Sequence, residues 1–313
     1  MKELFVGVDL GGTKIYTALG DEKGNILNEI IVETEAEKGP EAIVEKIKYT
    51  IKHVSEGREE KLRAIGIGSP GPLNIKEGII LNPPNLPFEN YNIVEKIEKD
   101  FNIPVYLDND ANAATIGEYA FGAGKGTDNM VFITASTGVG GGAVLNGKIY
   151  RGSTFNALEV GHTTIEVDGK RCGCGNKGCF EAMTSGTAIK RLAEDAVKSS
   201  VKTSLKKYKK VTAKEVFIEA NNEDRVSNEI LEDSLKYLGV LAANCANILD
   251  PDLIVIGGGV SNGGDIVFNK IKREMEKRCL EPVLNHCKID KAMLGGKAGV
   301  IGALALAITE FKN

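Results

Sequence analysis

The chain has 313 residues, enough for two hydrophobic cores rather than one. Apolar residues make up 42% and charged residues 26%, with a net charge of −4, an ordinary globular balance that speaks against general nucleic-acid or anionic-membrane binding. No apolar run reaches the roughly 20 residues of a membrane span, and Met1-Lys2-Glu3-Leu4-Phe5 enters a strand with no signal-peptide pattern, so a cytoplasmic protein is expected.

Leu4-Phe5-Val6-Gly7-Val8 is apolar and β-branched, the mark of a buried strand. Asp9-Leu10-Gly11-Gly12-Thr13-Lys14 follows, and Ile15 to Leu19 resumes a strand, so the glycine pair predicts a hairpin turn. A second turn at 21–25 leads to a third strand, Ile26 to Val32. Pro40 opens a helix in which Ile43, Val44, Ile47, Ile51 and Val54 recur at helical spacing. Ala64 to Gly68 is a strand leading into Ser69-Pro70-Gly71-Pro72; residues 82–90 form a proline-rich loop, and a short helix runs from Ile93 to Phe101.

Pro104-Val105-Tyr106 is a short β-type run, and Leu107-Asp108-Asn109-Asp110-Ala111-Asn112-Ala113-Ala114 opens a helix over 111–120. Carboxylates and amides therefore meet where a strand runs out and a helix begins. Open α/β sheets bind ligands at the carboxyl ends of their strands, and a helix N-terminus presents N–H groups to anions. Asp110 there is either a helix cap or a catalytic base.

Gly122 to Gly126 is a linker, after which the opening plan recurs. Met130 to Thr134 is a strand, Ser136-Thr137-Gly138-Val139-Gly140-Gly141-Gly142 a glycine-rich turn, Ala143 to Leu145 a second strand, and Asn146-Gly147 a hairpin signal. Either the chain holds an internal duplication with two similar lobes, or two hairpins share a common design. From Gly186 the chain turns helical. The lysine-rich stretch Lys198–Lys210 has Tyr208 as its one ring, no series of aromatic platforms, and reads as a solvated surface. Thr212 to Glu215 is a capping box, and a long helix over 225–249 ends at Asp250-Pro251. Asp252 to Ile256 is a strand into Gly257-Gly258-Gly259, and another helix spans about 298–311.

Each of the glycine-rich turns, at Gly11-Gly12, Gly138–Gly142 and Gly257–Gly259, follows an apolar strand, as a phosphate nest would. None is a P-loop. Gly138 to Ala143 matches G-x-G-x-x-A, but the following Asn-Gly hairpin leaves no helix for a dinucleotide fingerprint. Asp9, beside the first turn, is either a turn aspartate or a partner for Mg²⁺ among phosphates. His162, Cys172, Cys174 and Cys179 form the strongest local signal: glycines interleave the thiols, and a Cys₃His set with all four positions filled by protein is the donor set of structural zinc. Glu159 and Glu181 bracket this loop, and carboxylates held so, with Asn109 and Asp110, suit sugar hydroxyls.

Together the stretches 9–14, 66–72, 107–114, 136–142, 159–162, 172–181 and 257–261 resemble, in this order and across essentially the whole chain, the ROK family of repressors, open reading frames and sugar kinases, its bacterial glucokinases most closely. The resemblance implies an actin-like ATPase fold, an RNase H-like duplicated α/β architecture with two lobes and a central cleft. Residues 1–117 and a returning helix at 298–313 would form the small lobe, and 118–297 the large lobe with the zinc loop. It implies ATP and Mg²⁺ as cofactors, with structural Zn²⁺. Asp110 would take the proton from a sugar hydroxyl as that oxygen attacks the γ-phosphate, and Asn109, Gly71, Glu159, His162 and Glu181 would hold the sugar, His162 using its second ring nitrogen on zinc. Asp9, Gly11, Gly12, Thr13, Lys14, Thr137, Gly138 and Gly140 would cradle phosphates, and Gly257, Gly258 and Gly259 would lie near the adenosine. It also implies a homodimer or homotetramer, with small-molecule partners and neither nucleic acid nor membrane.

Leu158 and Phe155 stand where the family's kinases commonly carry glycine, on the side assigned to the sugar. The alternatives are a kinase for fructose, N-acetylmannosamine, N-acetylglucosamine or allose, and a sugar-sensing regulator. The regulator is disfavoured because the first phosphate turn begins at Asp9, with no helix-turn-helix ahead of it. A zinc hydrolase would need an open metal position and an H-x-E, and neither is seen.

Overall fold

The repeated hairpin plan is built twice. In the computed structural model, which describes residues 3–312, β1 (Leu4–Leu10), β2 (Lys14–Asp21) and β3 (Ile26–Glu33) form an antiparallel meander. After α1 (Pro40–Ser55), β4 (Leu62–Ser69) pairs parallel with β1. The short strands β5 (Leu73–Asn74), β6 (Ile79–Ile80) and β7 (Tyr91–Asn92) make a separate small sheet. Then α2 (Ile93–Phe101) leads to β8 (Val105–Asn109), parallel to β4, and on to α3 (Asp110–Phe121).

The second round repeats these pairings. β9 (Met130–Ala135) and β10 (Val139–Leu145) are antiparallel, with β11 (Lys148–Ile149) at the edge. The helices α4 (Phe180–Thr184), α5 (Gly186–Lys198), α6 (Ala213–Asn221) and α7 (Arg225–Leu249) precede β12 (Leu253–Gly257), which pairs parallel with β9. α8 (Asp265–Arg278), α9 (Glu281–His286), β13 (Lys288–Lys291), parallel to β12, and α10 (Ala298–Lys312) complete the chain. The two sheets run β3-β2-β1-β4-β8 and β11-β10-β9-β12-β13, the same order built from two stretches of sequence. Among the described residues no helix is long and apolar enough to cross a membrane.

The chain divides into two units. Unit 1 comprises Met1–Gly126, Lys148–Ala157 and Met293–Asn313; unit 2 comprises Thr127–Gly147 and Leu158–Ala292. This differs from a division at 117/118. α3 runs on to Phe121, and the boundary falls at the end of the glycine linker. The return of 148–157 to unit 1 has no local cause in the sequence; Arg151 within it pairs with Asp108 and Glu310.

In unit 1, Val6, Val8, Ile65 and Ile67 join the α1 residues Ile43, Ile47 and Ile51 in one core, while Phe5 and Ala64 pack with Leu304 and Ala307 of α10. That second layer is unusually close. Gly7 and Gly66 are register partners on β1 and β4. A Cβ on Gly66 would lie 2.0 Å from the Ala303 carbonyl oxygen, and one on Gly7 2.4 Å from the Leu304 nitrogen, so the α10 backbone rests directly on the sheet backbone. In unit 2 the long α7 anchors the core, with Leu231, Leu235 and Leu238 against Val131, Ile133, Ile254 and Ile256. Asp224 caps this helix by accepting the Ser227 N–H at 2.9 Å.

Candidate active site

The β8–α3 junction is held by the polar residues of the 107–114 stretch. Asn109 has extended backbone (φ −65°, ψ 146°) and is the N-cap, its Oδ1 accepting the Ala111 N–H at 2.9 Å. Capping therefore falls to Asn109. Asp110 is the first residue of the helix, with its carboxylate exposed and Oδ1 2.8 Å from the Ala111 nitrogen. Asn109 also lies beside the loop after β4, since a Cβ on Gly71 would be 3.6 Å from its Nδ2. Asp108 is fully buried; its Oδ2 accepts from Arg151 Nε at 2.7 Å and its Oδ1 from the Asn109 N–H at 2.8 Å and from Asn112 Nδ2 at 2.9 Å. Burial pushes the Asp108 carboxyl up, against the opposing charge of Arg151.

At the end of β1, Gly11 to Thr13 form the predicted turn, closed by the Gly11 N–H donating to the Lys14 carbonyl at 2.9 Å. Thr34 Oγ1 donates to the Gly11 carbonyl at 2.6 Å. The Asp9 carboxylate lies against the first turn of α10, where a Cβ on Gly299 would be 2.5 Å from its Cγ. Burial raises this carboxyl, with the Lys14 charge pulling the other way.

In unit 2 the glycine-rich turn is shorter than its sequence. Only 136–138 turn, and Gly140 to Gly142 lie within β10, Gly140 opposite Thr134 of β9. β-Pairing of small residues continues the ladder that glycine composition alone reads as loop. The turn is pinned to α5: the Gly186 N–H donates to the Ser136 carbonyl at 2.7 Å, and Thr187 Oγ1 to that of Thr137 at 2.7 Å. The Gly257–Gly259 turn stands beside it. Gly258 has φ +81°, and a Cβ there would be 2.3 Å from the Ala135 oxygen, so glycine is required twice over. Both turns open on one cavity of about 620 Å³, lined by Thr137, Gly259 and Val260 together with Lys190, Lys214, Phe217, Ile218 and Asn221. An apolar wall, two ammonium groups and a glycine turn suit a nucleotide.

His162, Cys172, Cys174 and Cys179 come together with one ligand atom from each within 4.8 Å of all the others. Cys174 Sγ and Cys179 Sγ are 3.7 Å apart, and Cys172 Sγ lies 3.8 Å from His162 Nδ1. Tetrahedral zinc with Zn–S bonds of about 2.3 Å sets its sulfurs about 3.8 Å apart, so the donor set fits that ion. His162 turns Nδ1 to the thiols and Nε2 toward Glu159, 4.0 Å away. Burial pushes the Cys172 thiol up to about 12 and raises Cys179, whereas the Asn176 N–H lowers Cys174; a metal binding there displaces protons. Glu181 is engaged on both oxygens: Oε2 accepts the Val139 N–H at 3.0 Å, and Oε1 lies 3.4 Å from Cys172 Sγ. It braces the 136–138 turn against the thiol loop.

The ROK family model matches residues 5–310. A glucokinase of Halalkalibacterium halodurans is 39% identical over 306 residues, covering 95% of this chain and 93% of that one. The crystal structure of a ROK hexokinase from Thermus thermophilus superposes with a TM-score of 0.85 at 32% identity over 99% of both chains. That of a ROK family glucokinase from Streptomyces griseus, in complex with glucose and AMPPNP, superposes at 0.80 with 34% identity over 98% of this chain and 99% of that one. The chain belongs to the ROK family. Its fold is the actin-like ATPase fold of the ROK sugar kinases.

As a ROK protein the chain carries some features that its residue types conceal. Phe155 (φ +61°) and Leu158 (φ +63°) both occupy left-handed backbone, where bulky residues are rare. The turns they make are those glycine would mark, so the composition hides them. The cavity residues Lys190, Lys214 and Phe217 come from α5 and α6; only the Thr212–Glu215 capping box, which starts α6, hinted at their placement. Asn109, Asp110 and Gly71 belong to unit 1, as do Asp9 and Gly11 to Lys14, whereas Thr137, Gly138, Gly140, Glu159, His162, Glu181, Gly257 to Gly259 and the thiol cluster belong to unit 2.

Proposed function

We propose that this chain is an ATP-dependent glucokinase, converting glucose and ATP to glucose 6-phosphate and ADP. The observation that carries the reading is an exposed carboxylate, Asp110, at a helix N-terminus directly after a buried strand, in a ROK chain. The glucokinase relatives support it. Asp110 accepts the proton of the sugar's 6-hydroxyl as that oxygen attacks the γ-phosphorus; the new O–P bond forms as the bond to the departing ADP oxygen breaks. Asn109, Gly71, Glu159, His162 and Glu181 hold the sugar hydroxyls. The turns at Gly11–Lys14 and Thr137–Gly138 hold phosphates, and the 620 Å³ cavity takes the adenosine. ATP supplies the phosphoryl group, its charge shielded by Mg²⁺, with Asp9 the proposed carboxylate partner. A coupled assay of ADP release across hexoses and N-acetylhexosamines is expected to give glucose the highest kcat/KM. A different sugar exceeding it would move the specificity, and no turnover with any sugar would remove the kinase reading. Leu158, a side chain held at left-handed backbone next to Glu159 in the chain, is the observation favouring another sugar as second reading.

We also propose that His162, Cys172, Cys174 and Cys179 hold a structural zinc, which would fix the loop carrying Glu159 and Glu181. Metal analysis of purified protein is expected to show about one zinc per chain. Cys174 is exposed, so Cys174→Ser removes a ligand with little loss of packing. Its zinc content is expected to drop by more than about half, with a lower melting temperature; full zinc in that variant would refute the site.

A further inference from the structure

We infer that Arg151 and Asp108 form a positioning couple that fixes the strand-to-helix junction carrying Asp110. This rests on the reading of Asp110 as the base. A fully buried carboxylate is costly unless it is paired and hydrogen-bonded, and Asp108 is both. Its two oxygens divide the work. Oδ2 takes the charged bond from Arg151 Nε at 2.7 Å, while Oδ1 holds the Asn109 N–H and the Asn112 amide. The first of these fixes the residue immediately before Asp110, and the second lies in the first turn of its helix. Arg151 is itself tied from the far side, Nη2 donating to Glu310 of α10 at 2.6 Å. A guanidinium can serve two carboxylates at once through its planar fork, which an ammonium does not reproduce. Without it the Asp108 carboxylate would be left buried and unpaired, and its grip on the junction would fall to a neutral acid. Asp110 follows Asn109 directly, so the backbone that Asp108 holds sets where its side chain starts.

The test is a double-mutant cycle on the full-length enzyme, with folded fraction measured for each variant. Arg151→Met is expected to lower kcat by about 10–100-fold, with the KM for ATP within about threefold of the parent, because the side-chain hydrogen bonds of Arg151 and Asp108 go to Glu310, Asn109 and Asn112 and to no residue proposed to hold ATP. Arg151→Lys is expected to retain part of the activity. In the Asp110→Asn background, Arg151→Met should lower the residual turnover by a factor at least about fivefold smaller than in the parent, since both changes act through one group. If the two losses multiply independently, or if folded Arg151→Met turns over like the parent, the couple is only a structural ion pair. Should Arg151→Met fail to fold, Arg151→Lys decides in the same cycle: unchanged kcat overturns the inference, and a loss that vanishes with Asp110→Asn supports it. Near-normal turnover in Asp110→Asn alone refutes the base instead, whatever the Arg151 variants do.

Discussion

Asp110→Asn is expected to slow phosphoryl transfer severely while the protein stays folded and still binds sugar. General-base catalysis contributes about 10²–10⁴-fold, so kcat should fall by that order. The substitution is nearly isosteric. The cap of α3 is Asn109, and the Ala111 N–H that it accepts is shared only with Asp110 Oδ1, an oxygen that asparagine keeps, so helix and junction survive the change. The Kd for glucose, by calorimetry, is expected to stay within about fivefold, because a neutral amide can still meet a hydroxyl. Turnover within about tenfold of the parent, measured by ADP release, would show that proton removal is not the work of this carboxylate.

Gly66→Ala is expected to be among the most destabilising single changes in unit 1. The added methyl would stand 2.0 Å from the Ala303 oxygen and 2.9 Å from the Ala307 nitrogen, both backbone atoms of α10. No rotamer relieves such a contact, so the helix has to lift from β4. Gly302 on the other side of α10 blocks an easy retreat, because its own Cβ position lies 2.2 Å from the Ala113 oxygen of α3. Overpacking of this kind costs about 3 kcal/mol or more, which in a unit of this size lowers the melting temperature by roughly 6–12 °C. Gly296→Ala, where nothing lies within 4 Å of the new Cβ, is the control and should stay within about 0.5 kcal/mol. A Gly66→Ala shift as small as the control's would mean that α10 is not seated on the sheet as described.

The two sheets were legible because their signals are local. Gly11-Gly12 and Asn146-Gly147 name their turns, and the long helix ends where Asp250-Pro251 says it must. The thiol cluster was legible for the same reason: its ligands span only residues 162–179, in a glycine-rich loop. What the sequence hid is long-range or concealed by residue type. Arg151 gives no sign that it pairs with carboxylates 43 and 159 positions away, and those bonds hold 148–157 in unit 1. Gly140 reads as turn by composition and is strand by pairing. Phe155 and Leu158 turn the chain without the glycine that would have announced it. The α5 and α6 residues of the cavity depend on which helix faces meet, which amphipathicity alone does not fix.

The seating of α10 on Gly7 and Gly66 also bears on how the protein is made. The strands of unit 1 are translated first, yet one face of their sheet waits for a helix encoded after the whole of unit 2. Unit 2 has all its segments once Ala292 has emerged, so it can complete its core on the ribosome while the N-terminal sheet is still uncovered on that side. The usual vectorial order, N-terminal domain first, is thereby inverted. During that interval the exposed strip around Phe5 and Ala64 is the nascent chain's apolar liability, the surface a chaperone would be expected to guard until α10 arrives.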